Sequence, residues 1–484
     1  MRIPCVILGS ILLASCGREG RSSYASPDEP LAEGVAISGL WFNQGASHVL
    51  RDLRYGKPFG QPAVVQDRAG LLTVGLDVEP DWEPRDLVAV LQFDGVRGIR
   101  REVHDLYVEA DGFQGFPDDT FDFDVPAHLV AEASHFTVTL HEYDPDDRVE
   151  TDNPDARFDL RDEPWTVRET GSITVRLIPV QYDADGSGRV PDTSPAQLQE
   201  YEQALRGMYP VTDVRIEVGD TLPWGSVLQP SGAGWSTLLT RMSDLRASES
   251  LHPNTYFYAL FEPASTEEAF CGMGCVLGLS PVGTLQDAST RASIGLGYTG
   301  RLSADTMVHE IGHAHGREHA PCGQGVASID PAFPHSGARL GTWGWNITTG
   351  ELYDPNQTTD MMGYCSPIWV SNYTWFHLSD RVRSLEQQGE SFERSTPREY
   401  RRFAVETDGS VVPVGPARLL PRSGAPLRTV QLDDARGARE IGAHWVPFVD
   451  LPAVDGVQPG MLLVESGADW DPDSRLALVP GPRD

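Results

Sequence analysis

Residues 303–319 read Ser303-Ala-Asp-Thr-Met-Val-His309-Glu310-Ile-Gly-His313-Ala-His315-Gly316-Arg-Glu-His319. His309 and His313 are four residues apart, so on a helix both imidazoles lie on one face and can reach one metal ion. Glu310 is rotated by about 100° from His309 and suits contact with a water better than direct ligation. Gly316 predicts the end of the helix, because glycine readily adopts the left-handed conformation after a last turn. The chain can then turn back and bring His319 to the same ion.

Three neutral imidazoles and an open fourth position form the ligand set of a catalytic zinc ion. Zinc lowers the pKa of a bound water toward about 7, and a carboxylate beside that water accepts its proton. The spacing H-E-x-x-H-x-x-G-x-x-H arises by chance in a chain of 484 residues far less often than about once in a thousand. We therefore predict one Zn²⁺ ion held by His309, His313 and His319, with Glu310 as the general base for its water.

These residues resemble the motif of the metzincin zinc endopeptidases, a clan that also carries a methionine-containing turn further along the chain. The candidate turn is Asp360-Met361-Met362-Gly363-Tyr364-Cys365. The resemblance implies that Met362, rather than Met361, forms an apolar floor under the zinc. It also implies that Tyr364 visits the metal or stabilises the oxyanion of the transition state.

Length and composition place further bounds on the function. A chain of 484 residues predicts roughly two to four domains, and 40% hydrophobic residues suffice for sizeable cores. The formal net charge of −32 argues against a nucleic-acid partner, because phosphate would be repelled. We expect a protein or glycoprotein substrate, and composition does not define the oligomeric state. Beyond the N-terminus there is no run of about 18 apolar residues that would predict a membrane helix.

The N-terminus has the plan of a signal peptide, with one positive charge before a short apolar run. Leu13-Ala14-Ser15-Cys16 resembles the bacterial lipobox, in which the cysteine becomes the acylated first residue of the mature protein. An ordinary signal peptide cut elsewhere is the alternative. We expect a signal sequence over residues 1–16, a flexible tether over 17–33, and a lipid anchor at Cys16 as the only contact with the membrane. Gly17 favours the outer membrane, facing the periplasm or the exterior, and release from the cell stays open.

Four cysteines remain beyond the signal region, an even number that suits an oxidising compartment. Because the resemblance puts both His319 and Tyr364 beside the zinc, Cys322 and Cys365 become neighbours and are expected to pair. Cys271 and Cys275 would then close their own small loop. The alternative of a cysteine as zinc ligand is disfavoured, because a thiolate would fill the position that the hydrolytic water needs.

The fold class that we predict is α+β, with a zinc-binding domain between two β domains. Short β-branched or alternating runs over residues 34–168 predict a β-sandwich, with an Ig-like arrangement as the candidate topology. Within it the acidic run Asp118-Asp119-Thr-Phe-Asp122-Phe-Asp124 could bind Ca²⁺, although a solvated strand is the simpler reading. Residues 395–484 again alternate short strands with proline and glycine, which indicates a small accessory β domain.

Residues 169–390 alternate strand and helix patterns in the order β-α-β-α-β-β-β-α, with the Cys271–Cys275 region as an edge element. This order resembles the metzincin catalytic domain, a mixed sheet with the active-site helix beneath it and a closing helix from Trp369 to about Leu385. The resemblance implies a cleft between the lower edge strand and the methionine turn. Asp183-Ala-Asp185-Gly-Ser187-Gly resembles half of a calcium loop, but Ser194 stands where an EF-hand needs Glu. Ca²⁺ is therefore weakly supported here as well.

Three other histidines lie near the motif. His315 is off the ligand face, and His335 and His377 could line the cleft, although ordinary packing is the simpler interpretation of each. The lipoprotein start, the leading β domain and the cysteine positions most resemble the bacterial StcE-like lipoprotein metalloproteases.

We thus expect a zinc metalloendopeptidase that hydrolyses peptide bonds of extracytoplasmic proteins or glycoproteins through a Glu310-activated zinc-bound water. The alternative is a surface adhesin or glycoprotein-binding lipoprotein with a vestigial protease domain. The presence of Glu310 argues against it, because a decayed site would be expected to lose its general base first. A zinc hydrolase acting on non-peptide bonds also stays open.

Overall fold

The computed structural model describes most of the chain beyond the N-terminus. The described residues are 26–57, 61, 63–95, 98–113, 119–150, 153–285, 287–323, 326–388, 398–419, 427–451, 457–466, 471 and 474–479. Cys16, the signal sequence and residues 17–25 of the tether lie outside this range, so the lipid anchor stays a prediction. Within the described ranges, none of the helices has both the length and the apolar character that a bilayer span requires. The described chain is mixed α+β with mostly strands.

The described residues of the N-terminal region form ten strands. They are β1 (Val35–Asn43), β2 (Ser47–Asp52), β3 (Val64–Val65), β4 (Gly70–Val78), β5 (Arg85–Gly95), β6 (Gly98–Val108), β7 (Phe121–Val125), β8 (His135–Glu142), β9 (Arg157–Asp159) and β10 (Val167–Arg168). Two four-stranded sheets have the orders β2-β1-β4-β7 and β6-β5-β8-β9, and β3 pairs with β10. The apolar residues of both sheets, such as Leu72 and Val138, share one core with Trp165. This two-sheet layout is compatible with a sandwich; its Ig-like classification stays a prediction.

The two acidic stretches with possible calcium sites have local partners instead. Asp118 lies outside the described residues. Asp122, on β7, accepts a hydrogen bond from the Thr73 hydroxyl at 2.5 Å. In the second stretch, Asp185 pairs with the Arg189 guanidinium at 2.6 Å, a cation that already offsets its charge. Neither stretch contributes to the one group of metal-binding side chains found within the described residues.

The raised pKa of Asp122 leads to a prediction about the stability of the protein. Burial raises its pKa from 3.8 to about 6, so the folded protein binds this proton more tightly than the unfolded chain. The stabilisation is complete below about pH 4 and is lost as the pH rises through about 6. Asp122→Asn removes this titration, and we expect it to raise the free energy of unfolding by about 1 to 3 kcal/mol at pH 8, relative to wild type. The gain should shrink toward zero at pH 4.

Urea unfolding of both proteins at the two pH values measures this difference. Asp86→Asn, at an exposed position on β5, is the matched control and should change little at either pH. An Asp122→Asn protein that is less stable than wild type at pH 8 would contradict the prediction.

The central region alternates helices and strands. The elements are β11 (Ser172–Tyr182), α1 (Pro195–Met208), β12 (Asp213–Val218), β13 (Leu222–Trp224), α2 (Trp235–Ser248), β14 (Thr255–Phe261), α3 (Glu267–Cys271), β15 (Gly278–Leu279), β16 (Ala292–Leu296), α4 (Arg301–Ala314), β17 (Gly344–Trp345), β18 (Leu352–Tyr353), β19 (Thr359–Asp360), β20 (Ile368–Trp369) and α5 (Asn372–Gln388). The main sheet has the order β12-β11-β14-β16-β15, and its strands are parallel except for β15.

Two local expectations differ from this structure. The region Cys271–Cys275, expected as an edge element, is instead the last residue of a short helix, α3, followed by a turn, and the Thr266 hydroxyl caps the start of α3 by accepting the Ala269 amide at 3.1 Å. The antiparallel edge strand, β15, follows it. The closing helix begins at Asn372 rather than Trp369, because the Ser371 hydroxyl accepts the Thr374 amide at 3.1 Å at its start.

Helices cover both faces of the main sheet. One face packs against α1, α4 and α5 in a single hydrophobic core, in which Tyr258, Met307 and Leu378 are completely buried. The other face packs against α2, through residues such as Trp235 and Phe257. The sheet therefore packs against α4, and this close packing holds the buried side chains of α4 in fixed positions.

The C-terminal region forms one antiparallel sheet. Its strands are β21 (Arg398–Val405), β22 (Val411–Leu419), β23 (Leu427–Asp434), β24 (Gly437–Pro447), β25 (Gly460–Glu465) and β26 (Arg475–Leu478), in the order β22-β21-β25-β24-β23-β26. It packs against α2, and Arg402 forms an ion pair with Asp244, with Nη2 and Oδ2 2.9 Å apart. The sheet thereby shares a core with the central region, and the loop between β24 and β25 reaches α4.

Candidate metal centre

Helix α4 carries the first part of the site and ends where the sequence predicts. Gly316 has a φ of 88°, in the left-handed region that favours glycine. Its amide donates to the His313 carbonyl at 2.7 Å, and the Arg317 amide donates to the Gly312 carbonyl at 3.0 Å. These two bonds are the Schellman arrangement, which closes a helix and redirects the chain. The redirected chain brings His319 back to the helix.

Three imidazoles converge at this point. The Nε2 atoms of His309 and His313 are 3.0 Å apart, and the His319 ring centroid lies 4.7 Å from that of His313. The Nδ1 atoms contact the carbonyl oxygens of Met361, Arg317 and Ala327 at 2.7, 2.6 and 2.6 Å. A carbonyl can only accept, so each Nδ1 carries the proton and donates it. Each neutral ring therefore turns an Nε2 lone pair toward the same point.

A fourth ligand atom comes from the C-terminal sheet. Asp450, in the loop between β24 and β25, places Oδ1 at 3.3, 3.4 and 3.0 Å from the Nε2 atoms of His309, His313 and His319. All four ligand atoms lie within 4.8 Å of one another. Lone pairs of three imidazoles and one carboxylate facing one point repel unless a cation lies between them. The donor set therefore fits a transition metal, whose preferred ligands are imidazole and carboxylate.

The protonation of the site is consistent with this role. Burial lowers the pKa of His313 to about 4, which keeps the ring neutral. Burial also opposes charge on His309, but its contact with Asp450 outweighs this and raises the pKa of His309. Burial alone would raise the pKa of Asp450, yet the electrostatic interaction with His313 and the contacts with the three imidazoles lower it well below its usual value. Asp450 is thus an anion that faces the three histidines.

Glu310 lies beside the four ligand atoms without joining them. It is 2% exposed, and Oε2 has no hydrogen-bond partner among the described residues. A Cβ atom at Gly278 of β15 would come within 2.3 Å of Oε1, so the strand leaves just enough room for this carboxylate. Burial and the neighbouring charge of Asp450 raise the pKa of Glu310 well above its usual value. A carboxyl group with a raised pKa is suited to take up a proton and return it.

The methionine turn packs beneath the helix. A Cβ atom at Gly312 would lie 2.4 Å from the sulfur of Met362, so this side chain packs directly against α4 behind the histidines. Met361 contributes its carbonyl, which holds the His309 ring. Tyr364 points its hydroxyl at Asp450 and donates to Oδ1 at 3.0 Å. Burial and the charges of Asp450 and Glu310 raise the pKa of Tyr364, so its hydroxyl keeps its proton as a donor.

The two disulfides join the expected pairs. Cys322 is bonded to Cys365, and Cys271 to Cys275. The first bond ties the segment after His319 to the methionine turn, and the Tyr364 amide donates to the Cys322 carbonyl at 2.8 Å beside it. None of these sulfurs is free to bind the metal, so the alternative of a cysteine ligand does not apply.

The other histidines near the motif lie outside the metal group. His315 is buried and stacks on Tyr256, with ring centroids 4.4 Å apart, and burial lowers its pKa to about 3. His335 contacts the Asn372 side chain at 2.7 Å. His377 packs against Tyr373, with ring centroids 4.5 Å apart. Each of these three histidines contacts a neighbouring side chain, and none of them belongs to the metal group.

Asp450 is the site residue that the sequence analysis missed. It lies 131 residues after His319, outside the motif and in a region assigned to an accessory domain. A weak signal was present, because the acid interrupts an otherwise apolar run, Val446-Pro-Phe-Val-Asp450-Leu451. An acidic side chain flanked by buried apolar residues needs a partner, but the run does not say which.

A cavity of about 560 Å³ opens beside the metal group. It is bounded by edge strand β15 at Gly278 and by the methionine turn at Tyr364, and it also reaches Val276 and Ile368. Glu310 and Asp450 both face it. The cavity is large enough for a bulky substrate side chain, and a side chain bound in it would lie beside the metal group.

Comparison with known proteins gives one informative match. Residues 287–372 match the family Peptidase M66. The matched segment contains α4 and the methionine turn, and it indicates a metallopeptidase. Curated proteins gave no match. The solved C-terminal domain of wzt is similar over 25% of this chain and 70% of that chain, with 12% identity and a TM-score of 0.17. A TM-score this low supports no conclusion about fold or function.

Proposed function

We propose that this chain is a zinc-dependent metalloendopeptidase of the metzincin type, most similar to the StcE-like group, acting on extracytoplasmic proteins or glycoproteins. The observation that carries the proposal is the convergence of three Nε2 atoms on one point, with Glu310 beside them and outside the ligand set. Support also comes from the packing of Met362 under α4 and from the family match over residues 287–372.

The histidines and Glu310 have separate roles in the proposed reaction. His309, His313 and His319 hold the metal as neutral imidazoles, each oriented by its Nδ1 bond to a backbone carbonyl. A bound Zn²⁺ ion polarises a peptide carbonyl and lowers the pKa of water. Glu310 accepts the proton that the attacking water loses and later donates it to the leaving amine. Its burial against Gly278 keeps this carboxylate in one position.

Tyr364 has the place of an oxyanion donor. Its hydroxyl lies 3.0 Å from Asp450 Oδ1, the oxygen that contacts the three imidazoles. If a substrate oxygen replaced Oδ1, the same hydroxyl would donate to it as negative charge develops.

This role gives a prediction for Tyr364→Phe. We expect the substitution to lower kcat by about 10²-fold, because one preorganised donor is lost, while the metal content stays the same. The assay uses the Asp450→Ala background, which removes the carboxylate that contacts this hydroxyl. The control is Tyr373→Phe, which removes a hydroxyl that binds Asp330 instead. Unchanged turnover of the Tyr364→Phe enzyme would remove this residue from the mechanism.

The cavity suggests the substrate preference. Its apolar lining includes Val276 of the Cys271–Cys275 loop region and Ile368 after the methionine turn. We propose that it accepts a bulky apolar side chain next to the scissile bond. Anchoring through Cys16, a location in the outer membrane or the exterior, and the absence of a nucleic-acid partner remain parts of the same proposal.

One observation favours a second candidate function. Four protein ligands around a metal are typical of structural sites, whereas catalytic sites keep one position open. With Asp450 in place, the group has the composition of a structural site. Such a protein would bind metal and cleave nothing.

Cleavage of a mixed peptide library, with the products identified by mass spectrometry, separates the two candidates. The wild-type chain and Asp450→Ala are assayed with and without a chelator. The proposal expects cleavage that the chelator abolishes, in at least one of the two proteins. Metal binding without cleavage in either would favour the structural candidate.

A further inference from the structure

The loop between β24 and β25 inserts a carboxylate into the centre of the site. We infer that Asp450 is an internal inhibitor, which fills the coordination position that the hydrolytic water needs and keeps the peptidase latent until this loop withdraws. The inference rests on the proposed function, and it adds a form of regulation that the sequence motif does not contain.

The position of Oδ1 is the first argument. This oxygen contacts the Nε2 atoms of all three histidines at 3.0 to 3.4 Å, and the Asp450 side chain is 6% exposed. An oxygen in contact with all three ligand nitrogens stands on the side toward which their lone pairs converge. A carboxylate bound there leaves no open position, and an open position is what distinguishes catalytic sites.

Asp450 also engages the groups that the reaction needs. The Tyr364 hydroxyl donates to Oδ1, so the proposed oxyanion donor is already used. Glu310 and Asp450 line the same cavity, so the Asp450 carboxylate stands beside the proposed general base, where its water would lie. One side chain therefore occupies the site of the water and the site of the substrate oxygen together.

The described residues of this loop on either side of Asp450 are held firmly in position. Phe448 and Leu451, on either side of Asp450, are 2% and 1% exposed and belong to the core that contains α2. The Gln458 side chain donates to the carbonyls of both, at 2.6 and 3.1 Å. Phe448 also forms a β-bridge with Pro281, which follows edge strand β15. These contacts on both sides of Asp450 hold its carboxylate in the site.

Release would therefore require the C-terminal sheet to shift. The sheet is held on α2 by polar contacts that include the Arg402–Asp244 ion pair and a hydrogen bond from Ser236 to Glu406. Loss of these contacts, or removal of the sheet, would withdraw Asp450 and open the cavity to the metal group. The latency of the peptidase would thus depend on the attachment of the C-terminal sheet to α2.

The test uses full-length protein with Co²⁺ in place of Zn²⁺, and it compares wild type with Asp450→Ala. A solvent ligand on the metal ionises near neutral pH, whereas a site closed by protein ligands has nothing to ionise. We expect the visible spectrum of wild type to stay constant from about pH 6 to pH 9, and that of Asp450→Ala to titrate. Asp450→Asn, which preserves the shape of the side chain, replaces Asp450→Ala if the latter fails to fold.

Peptide cleavage is measured on the same proteins. Asp450→Ala should cleave at least about tenfold faster than wild type, and adding Glu310→Gln to Asp450→Ala should lower its cleavage by at least about 10²-fold. Asp433→Ala, an exposed residue of the same sheet, is the matched control and should behave as wild type.

The outcomes separate the two proposals. If wild type cleaves as fast as Asp450→Ala and its spectrum already titrates, the inhibitory role of Asp450 is overturned while the peptidase function stands. If the spectrum responds to Asp450→Ala but neither protein cleaves, Asp450 is supported as a ligand and the peptidase function fails.

Discussion

Peptide cleavage should fall by about 10²- to 10⁴-fold when Glu310→Gln is introduced into the Asp450→Ala protein. Glutamine keeps the shape of the side chain that packs against Gly278, but it cannot accept the proton of the attacking water. Because Glu310 is not among the ligand atoms, the metal content should remain that of the parent protein. The loss should therefore appear in kcat rather than in metal binding.

Glu268→Gln is the matched control, since this exposed carboxylate of α3 lies outside the metal group. Steady-state kinetics on one defined peptide, with metal analysis of the same samples, measures both quantities. A Glu310→Gln enzyme that cleaves as fast as its parent would exclude Glu310 as the general base.

The second large effect concerns His319. We expect His319→Ala to weaken metal binding by at least about 10²-fold, because it removes a ligand held in place by the Ala327 carbonyl. A metal that binds more weakly stabilises the folded protein less, so the melting temperatures of metal-free and metal-loaded His319→Ala protein should converge. Competition with a chromophoric chelator measures the affinity.

His335→Ala is the control for this experiment, because it removes a nearby imidazole that binds Asn372 and is absent from the metal group. The control should retain the metal affinity of wild type. Equal affinities of His319→Ala and wild type would show that the third histidine of the motif is not a ligand.

The parts of the site that the sequence predicts are those encoded locally. The spacing of His309 and His313 is one helical turn, and a glycine at 316 both ends α4 and redirects the chain, so three ligands follow from one short motif. The two disulfides follow the same logic, because the motif and the methionine turn place Cys322 and Cys365 near one another.

The parts that escaped prediction depend on packing between distant segments. Asp450 reaches the site because the C-terminal sheet shares a core with α2, and no local pattern encodes that contact. The short helix α3, which ends at Cys271 where only an edge element was expected, was not predicted, because a capped helix of five residues lacks the periodicity of a long one. Likewise, Asp122 had the appearance of a solvated acid, and its burial follows only from the position of Thr73 on the neighbouring strand.

X-ray absorption spectroscopy and metal analysis of purified full-length protein test the central claim most directly. The account predicts about one zinc ion per chain, with three imidazole nitrogens at roughly 2.0–2.1 Å and one carboxylate oxygen that disappears in Asp450→Ala. A protein that carries no stoichiometric transition metal, or a metal whose nitrogen ligands survive the loss of His309, His313 and His319, would contradict it.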